Sequence, residues 1–217
     1  MTVTKSNQLW FKWSRCVDGY DWIEDADGYM NLTPKSQEFV SISPLVDDPT
    51  IFGQFSDLQT NEDYLKFANK FGLLFHPKES NISAEWKQYT HHMSLAFSAW
   101  EKRKSDGSIE ALQTVMDLFN KRSTVGSISL NAGTVQLRIE LVEKETIPTL
   151  FIEPNNLLLA IWAQFAHAVT HNLGQKRCKV EACGKWFSTQ TLRRLYCSDP
   201  CEQGQYRINE SLKKQKP

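Results

Sequence analysis

The chain has 217 residues, 41% of them hydrophobic, with 12 Phe and 7 Trp, which is the composition of a folded protein with a sizeable core rather than of a disordered segment. Its 25 basic and 25 acidic residues balance to a net charge of zero, so the chain as a whole is neither a polycation nor a polyanion. No run approaches the eighteen or so apolar residues of a membrane span, and polar Met1–Asn7 shows no secretory apolar core, so the cytoplasm is the expected compartment.

In chain order, residues 8–13 suggest a strand. Asp18-Gly19 and Asp27-Gly28 are turn signals, and Glu38–Ser43 offers a second short strand. Residues 49–55 read as a connection packed by Ile51, Phe52 and Phe55. The first strong helix is expected from about Thr60 to Phe71. Thr60 with Asp63 resembles a capping box, Tyr64, Leu65, Phe67, Ala68 and Phe71 form an apolar stripe, and Gly72 is a stop. A longer helix is predicted over Ser83–Lys104, with Trp86, Tyr89, Met93, Phe97 and Trp100 along one face. An aromatic stripe at this spacing is core material rather than a cofactor box.

After the break at Asp106-Gly107, Ser108 opens a third helix whose expected inward residues are Ile109, Leu112, Met116 and Phe119. The period then changes to two. Residues 127–130, a turn at 131–133 and a strand over 134–142 read as a β-hairpin, with a third short strand at Thr149–Ile152. The last helix of this body is expected to start at Pro154 and end near Gly174, burying Leu157, Leu158, Ile161, Trp162, Phe165 and Val169. His167 and His171, four apart on it, fall with Gln164 and Thr170 on the side away from the apolar face. Two imidazoles without a third ligand make a poor metal site, so solvated polar residues are the reading.

The cysteines are the most informative feature. Four of the five fall within Cys178–Cys201, as Cys178/Cys183 and Cys197/Cys201. Two close pairs of thiolates across an intervening segment suit tetrahedral zinc. Two disulfides would need an oxidising compartment, and a Cys-x-x-Cys redox pair is absent. Cys197 stands just ahead of a helix start and Cys201 in its first turn, with Asp199 and Pro200 suited to that turn. Between the pairs, Lys185–Phe187 and Leu195-Tyr196 are expected to pair as a hairpin. Knuckle, hairpin and helix together describe a treble-clef zinc finger with one structural zinc, closed by four thiolates and without an open catalytic position.

The pattern Cys178-x4-Cys183-Gly-x-Trp-Phe followed by Arg193-Arg194-Leu-Tyr-Cys197-Ser-x-x-Cys201 resembles the bacterial CGNR-type zinc finger. That module ends mostly helical bacterial proteins and is associated with DNA. The resemblance covers residues 174–214 and implies Cys178, Cys183, Cys197 and Cys201 as the metal ligands. The name-giving Cys-Gly-Asn-Arg stands here as Cys201-Glu202-Gln203-Gly204, so that element does not carry over. The resemblance does not extend to the body.

Charge is distributed unevenly. Residues 174–217 hold ten Lys or Arg against four Asp or Glu, +6, while residues 1–173 hold 15 against 21, −6. A basic appendage on an acidic body suits either an anion-binding module or two parts that dock on each other. The expected architecture is therefore α+β: a mostly helical body over 1–173 with a small β-hairpin/antiparallel sheet, then a treble-clef finger over 174–217. The candidate nucleic-acid contacts are Lys185, Arg193, Arg194, Arg207, Lys213 and Lys214, since guanidinium groups grip phosphate with a planar fork. DNA is the leading partner, and transcription regulation the leading role. The alternative is a protein-interaction module in which zinc only staples the fold. An enzyme is a third reading, but no phosphate-binding glycine loop, nucleophile elbow or other catalytic motif is visible, and no small-molecule cofactor is suggested.

Overall fold

A computed structural model describes residues 11–76, 81–120, 135–141, 148–189 and 193–214. It is an α+β arrangement in which every sheet is a two-stranded antiparallel ribbon. Strand β1 (Trp13–Cys16) pairs with β4 (Phe39–Ile42), enclosing a second ribbon made of β2 (Tyr20–Glu24) and β3 (Met30–Pro34). The two Asp-Gly signals lie at the bends, where Gly19 and Gly28 take φ of +79° and +82°. The inner ribbon has no counterpart in the expected strands. Its residues alternate weakly, and much of it stays exposed. The strand expected over 8–13 begins at Trp13 among the described residues.

Short helix α1 (Pro44–Asp47) leads to α2 (Ile51–Ser56), where a connection was expected. Six residues are too few to show a helical period, and Gly53 reads as a breaker. Ile51, Phe52 and Phe55 are fully buried all the same. Helix α3 (Asn61–Phe71) has the anticipated capping box: Asp63 N–H donates to Thr60 Oγ1 at 3.2 Å and Thr60 N–H donates to Asp63 Oδ2 at 3.0 Å. Gly72 ends it at φ +90°, with Ser14 O and the Trp13 indole too close for a side chain.

Helix α4 (Ser83–Asp106) is the longest element, and all five residues of its aromatic stripe are buried. Helix α5 (Ile109–Asn120) packs back on it with a face only partly the expected one: Leu112 is half-buried against the core, and the Phe119 side chain lies outside the described residues. Ala111 and Val115 are buried, whereas Ile109 is 79% exposed and Met116 46% exposed. Ser108 Oγ accepts from Ala111 N–H at 3.1 Å, which fixes the start of α5. Strand β5 (Val135–Leu141) pairs with β6 (Pro148–Pro154), while residues 127–130 and the turn at 131–133, expected to form a hairpin with it, lie outside the described residues.

Helix α6 (Leu157–Thr170) starts three residues after Pro154 because Asn156 caps it, its Oδ1 accepting from Leu159 N–H at 2.8 Å. The helix is buried on more sides than its expected face. Gln164, placed with the solvated residues by the helical wheel, is only 8% exposed, and its Oε1 accepts from Phe52 N–H at 3.3 Å. One continuous core joins α2, α3, α4 and α6 through aromatic contacts such as Phe52–Phe97, Phe52–Phe165 and Phe55–Trp86. Among the described residues no helix is long and apolar enough to cross a membrane.

Candidate metal centre

The chain leaves α6 through Asn172, at φ +54°, and enters β7 (Gly174–Arg177), which pairs with β8 (Trp186–Thr189). The first cysteine pair sits in the turn between these strands. Cys178 N–H donates to Lys185 O at 2.8 Å, closing the ribbon, and Cys183 and Gly184 N–H both donate to Val180 O, curling the backbone around the thiols. Gly184 follows at φ +54°, a conformation that the residue after Cys183 takes cheaply only as glycine.

This ribbon replaces the expected pairing of Lys185–Phe187 with Leu195-Tyr196. The four residues before Cys178, anticipated largely as a joint, are the partner strand. Leu195 instead accepts a single backbone bond from Lys179 N–H at 3.0 Å, which holds the second cysteine pair beside the first. Helix α7 (Asp199–Lys214) then begins two residues after Cys197, with Cys201 in its first turn, as its Asp-Pro start suggested.

The result is a four-cysteine cluster. The Sγ atoms of Cys178, Cys183, Cys197 and Cys201 all lie within 4.8 Å of one another. Cys183–Cys197 is 3.6 Å and Cys197–Cys201 is 3.5 Å, and all five cysteines are free thiols. Four sulfurs at the corners of a tetrahedron ~2.3 Å from a zinc ion would stand about 3.8 Å apart. The donor set therefore fits one metal ion, and four soft thiolates at this spacing favour zinc.

The thiols differ in how readily they ionise. At Cys178, burial pushes the thiol up, but backbone hydrogen bonds from Cys197 and Val180, with the Cys197 and Cys183 thiols, bring it down to about 7. At Cys197, burial and the neighbouring thiols of Cys201 and Cys183 push it up to about 12. The first negative charge is welcome and the next is opposed by the one already present. A dication removes that opposition and lets all four ionise.

The basic residues are placed as follows. Lys185 is exposed on the knuckle, Arg193 and Arg194 are exposed just before Cys197, and Arg207 is exposed on α7. Lys213 and Lys214 fall in the last turn of α7. Arg194 has a local role that its position in sequence did not suggest. Its Nε donates to Tyr196 O at 3.1 Å and its terminal amine to Cys197 O at 3.0 Å, with the guanidinium over the Phe187 ring at 5.6 Å. It therefore braces the backbone that carries a ligand. Outer-shell braces of this kind tune metal affinity about 10- to 100-fold. Arg194→Ala is expected to speed zinc transfer to a colorimetric chelator roughly tenfold, and an unchanged transfer rate would show that the brace is idle.

His167 and His171 are brought together, their rings stacked at 4.0 Å, but among the described residues no third ligand joins them. Burial, then the positive field of His171, holds the His167 imidazole below its ordinary range. His171 sits at the helix end with Nδ1 2.9 Å from His167 O.

Sequence reasoning missed the residues that seat the knuckle on the body. Gln175 is 2% exposed; its Oε1 accepts from Gly53 N–H at 3.1 Å and its Nε2 donates to Pro49 O at 2.8 Å. Trp186 meets Phe97 edge to face at 5.7 Å, and Arg177 pairs with Asp57 at 2.6 Å. The one available signal was Gly53 inside an apolar run. A Cβ there would stand 2.5 Å from Gln175 Oε1 and 3.0 Å from the Trp186 ring. In comparisons with known proteins, the chain matches no family model, no curated protein and no solved structure.

Proposed function

We propose that the chain is a zinc-stapled, DNA-binding regulatory protein of the bacterial cytoplasm, whose C-terminal module is a treble-clef finger of the CGNR type that grips phosphates. The observation that carries this reading is the setting of Lys185, Arg193 and Arg207, all exposed, around a cluster that zinc would make rigid. A rigid mount lowers the ordering cost of each contact. Helix α7 spans 16 residues, about 24 Å at 1.5 Å per residue. Tyr206 and Arg207 are exposed on it, and a helix of this length suits a groove of duplex DNA. Within this reading residues 1–173 are a body of separate role and 174–217 the DNA-facing unit, a reducing compartment keeping the thiolates available for metal.

Phosphate contacts release counterions, so affinity falls steeply with salt, and each lost contact lowers the slope of log affinity on log salt by about one. Arg193→Ala and Arg207→Ala are expected to weaken binding alike on unrelated duplexes and to reduce that slope by about one each, measured by fluorescence anisotropy at four salt concentrations. Binding that is absent at low salt in the zinc-loaded protein, or unchanged slopes in both variants, transfers the reading to a protein-interaction module in which zinc has a purely structural part.

A further inference from the structure

A ribbon of two strands has two outer edges, and each carries backbone N–H and C=O groups that water or another segment must satisfy. In the N-terminal ribbons the body meets most of these groups. On β1, Cys16 N–H donates to the Tyr20 hydroxyl at 2.9 Å, Gly19 N–H donates to Cys16 O at 3.2 Å, and Ser14 O faces Gly72. On β3, Leu32 N–H donates to Asn81 O and Asn31 bridges to Ile82. On β2, Tyr20 N–H donates to Asn69 Oδ1 at 2.8 Å.

The outer edge of β4 is different. Val17 N–H donates to Glu38 O at 2.9 Å, so these two residues are a hydrogen-bonded pair of the ladder. Bonded pairs recur at every second position, which places the next ones at Arg15 with Val40 and Trp13 with Ile42. The N–H and C=O of Phe39 and Ser41 therefore point away from β1, and among the described residues nothing bonds to them. Residues 37–41 are all exposed. The strand Phe39-Val40-Ser41-Ile42 also lacks the charge or proline that commonly guards an open edge.

Charge decides what such an edge accepts. Glu38 stands at one end of it, and Asp47 at the other, its Oδ2 accepting from Ser43 N–H at 3.2 Å. Among the described residues neither carboxylate is in an ion pair. Arg15, across from Val40, donates instead to Asn69 O at 3.1 Å, and Lys35 pairs with Asp21 at 3.4 Å. Between the two acids the exposed side chains are Phe39, Val40 and Ser41. A second copy laid antiparallel on the strand would bring Glu38 to the Asp47 end of its partner, acid toward acid, so like charges oppose that occupant.

We infer that the β4 edge is a docking site for an extended peptide of a partner protein, apolar in its middle and basic at both ends, which adds a third strand to the β1–β4 ribbon. Main-chain bonds to Phe39 and Ser41 hold it, and its alternate side chains pass over Phe39 on one face and Val40 on the other. Lys or Arg residues about five positions apart, ~17 Å along a strand, reach Glu38 and Asp47. The inference goes beyond the DNA reading and does not depend on it.

The test uses the full-length, zinc-loaded protein, ¹⁵N-labelled, and the peptide acetyl-Lys-Val-Thr-Val-Thr-Lys-amide. In the free protein the Phe39 and Ser41 amides are expected to exchange quickly with solvent and the Val40 amide slowly, since only Val40 N–H lies in the ladder. Titration should move the Phe39 and Ser41 resonances to saturation and slow their exchange. Glutamate in place of both peptide lysines should weaken binding about tenfold, and Glu38→Gln with Asp47→Asn should remove that preference. Ser41→Pro deletes an outward N–H while leaving the ladder to β1 its bonds, so it should abolish binding. Asp27→Asn, in the turn between β2 and β3, should leave binding intact. The inference is overturned if the peptide fails to saturate, if the acidic peptide binds as tightly as the basic one, or if Ser41→Pro leaves the affinity unchanged. It is equally overturned if the Phe39 and Ser41 amides exchange slowly without peptide or shift with protein concentration, since the chain itself or a second copy then covers the edge.

Discussion

Protein carrying Cys197→Ser together with Cys201→Ser is expected to hold no zinc, against one ion per chain in the unaltered protein. The two substitutions remove half of a donor set whose members all lie within 4.8 Å, and two thiolates cannot close a tetrahedral site. The structural loss is larger than the loss of an ion. Apparent binding energies of four-ligand zinc sites in small peptides run to about 10–16 kcal/mol, and that energy is folding energy, because the ligands do not preassemble in the unfolded chain. Helix α7 carries Cys201 in its first turn, so it loses the anchor that the metal would give it. Residues 193–201 are tied back by Lys179 N–H to Leu195 O and by the Arg194 brace, neither of which substitutes for a metal. Elemental analysis gives the stoichiometry, and proteolysis should cut near residues 193–207 in the variant and spare them in the parent. Equal zinc in variant and parent would mean that the four thiols are not the site.

How much of this was legible beforehand depended on whether the signal was local. The α3 cap, the α4 stripe and the four-cysteine cluster were readable because each is written within one element or one short spacing: Thr60 with Asp63, aromatic residues at three and four steps, two cysteine pairs. The failures are tertiary. Nothing in residues 49–56 states that a six-residue segment becomes helical, because Ile51, Phe52 and Phe55 are held by α4 and α6 rather than by their own period. Helix α5 buries Ala111 and Val115 beside half-buried Leu112 and leaves Ile109 exposed, a choice of face that its own period does not state. Strand β8 chose Gly174–Arg177 over Leu195-Tyr196 because the knuckle is itself a hairpin turn, so the cheapest partner lies on its other side. Gln164 and Gln175 look like surface residues in sequence, yet each reaches a backbone N–H of α2, Phe52 in one case and Gly53 in the other. A buried amide is recognisable only once the backbone group it satisfies is known.

Gln175 is therefore the residue through which the metal centre and the body should be felt to be one structure. Gln175→Ala leaves the Gly53 N–H without its acceptor, inside a helix whose neighbours Ile51, Phe52 and Phe55 are fully buried. The unmet donor costs about 1–3 kcal/mol, and Pro49 O loses its donor as well. The expected result is a destabilisation of roughly 2–3 kcal/mol, seen as a lower urea midpoint for unfolding of the body, although the substitution lies next to the finger and touches no aromatic of the core. Gly53→Ala attacks the same seat from the other side. Alanine favours the helix by about 1 kcal/mol over glycine, but its Cβ would stand 2.5 Å from Gln175 Oε1 and 3.0 Å from the Trp186 ring, so the net effect is destabilising. Combining the two separates packing from hydrogen bonding. With Gln175 shortened, the Gly53→Ala methyl meets only Trp186, and its cost should shrink by interaction between neighbours. Chelating zinc in the parent should lower the body's midpoint in the same direction, because β7 carries both Gln175 and the approach to Cys178. If Gln175→Ala leaves the midpoint where it was, and chelation does too, the ribbon rests on the body without stabilising it.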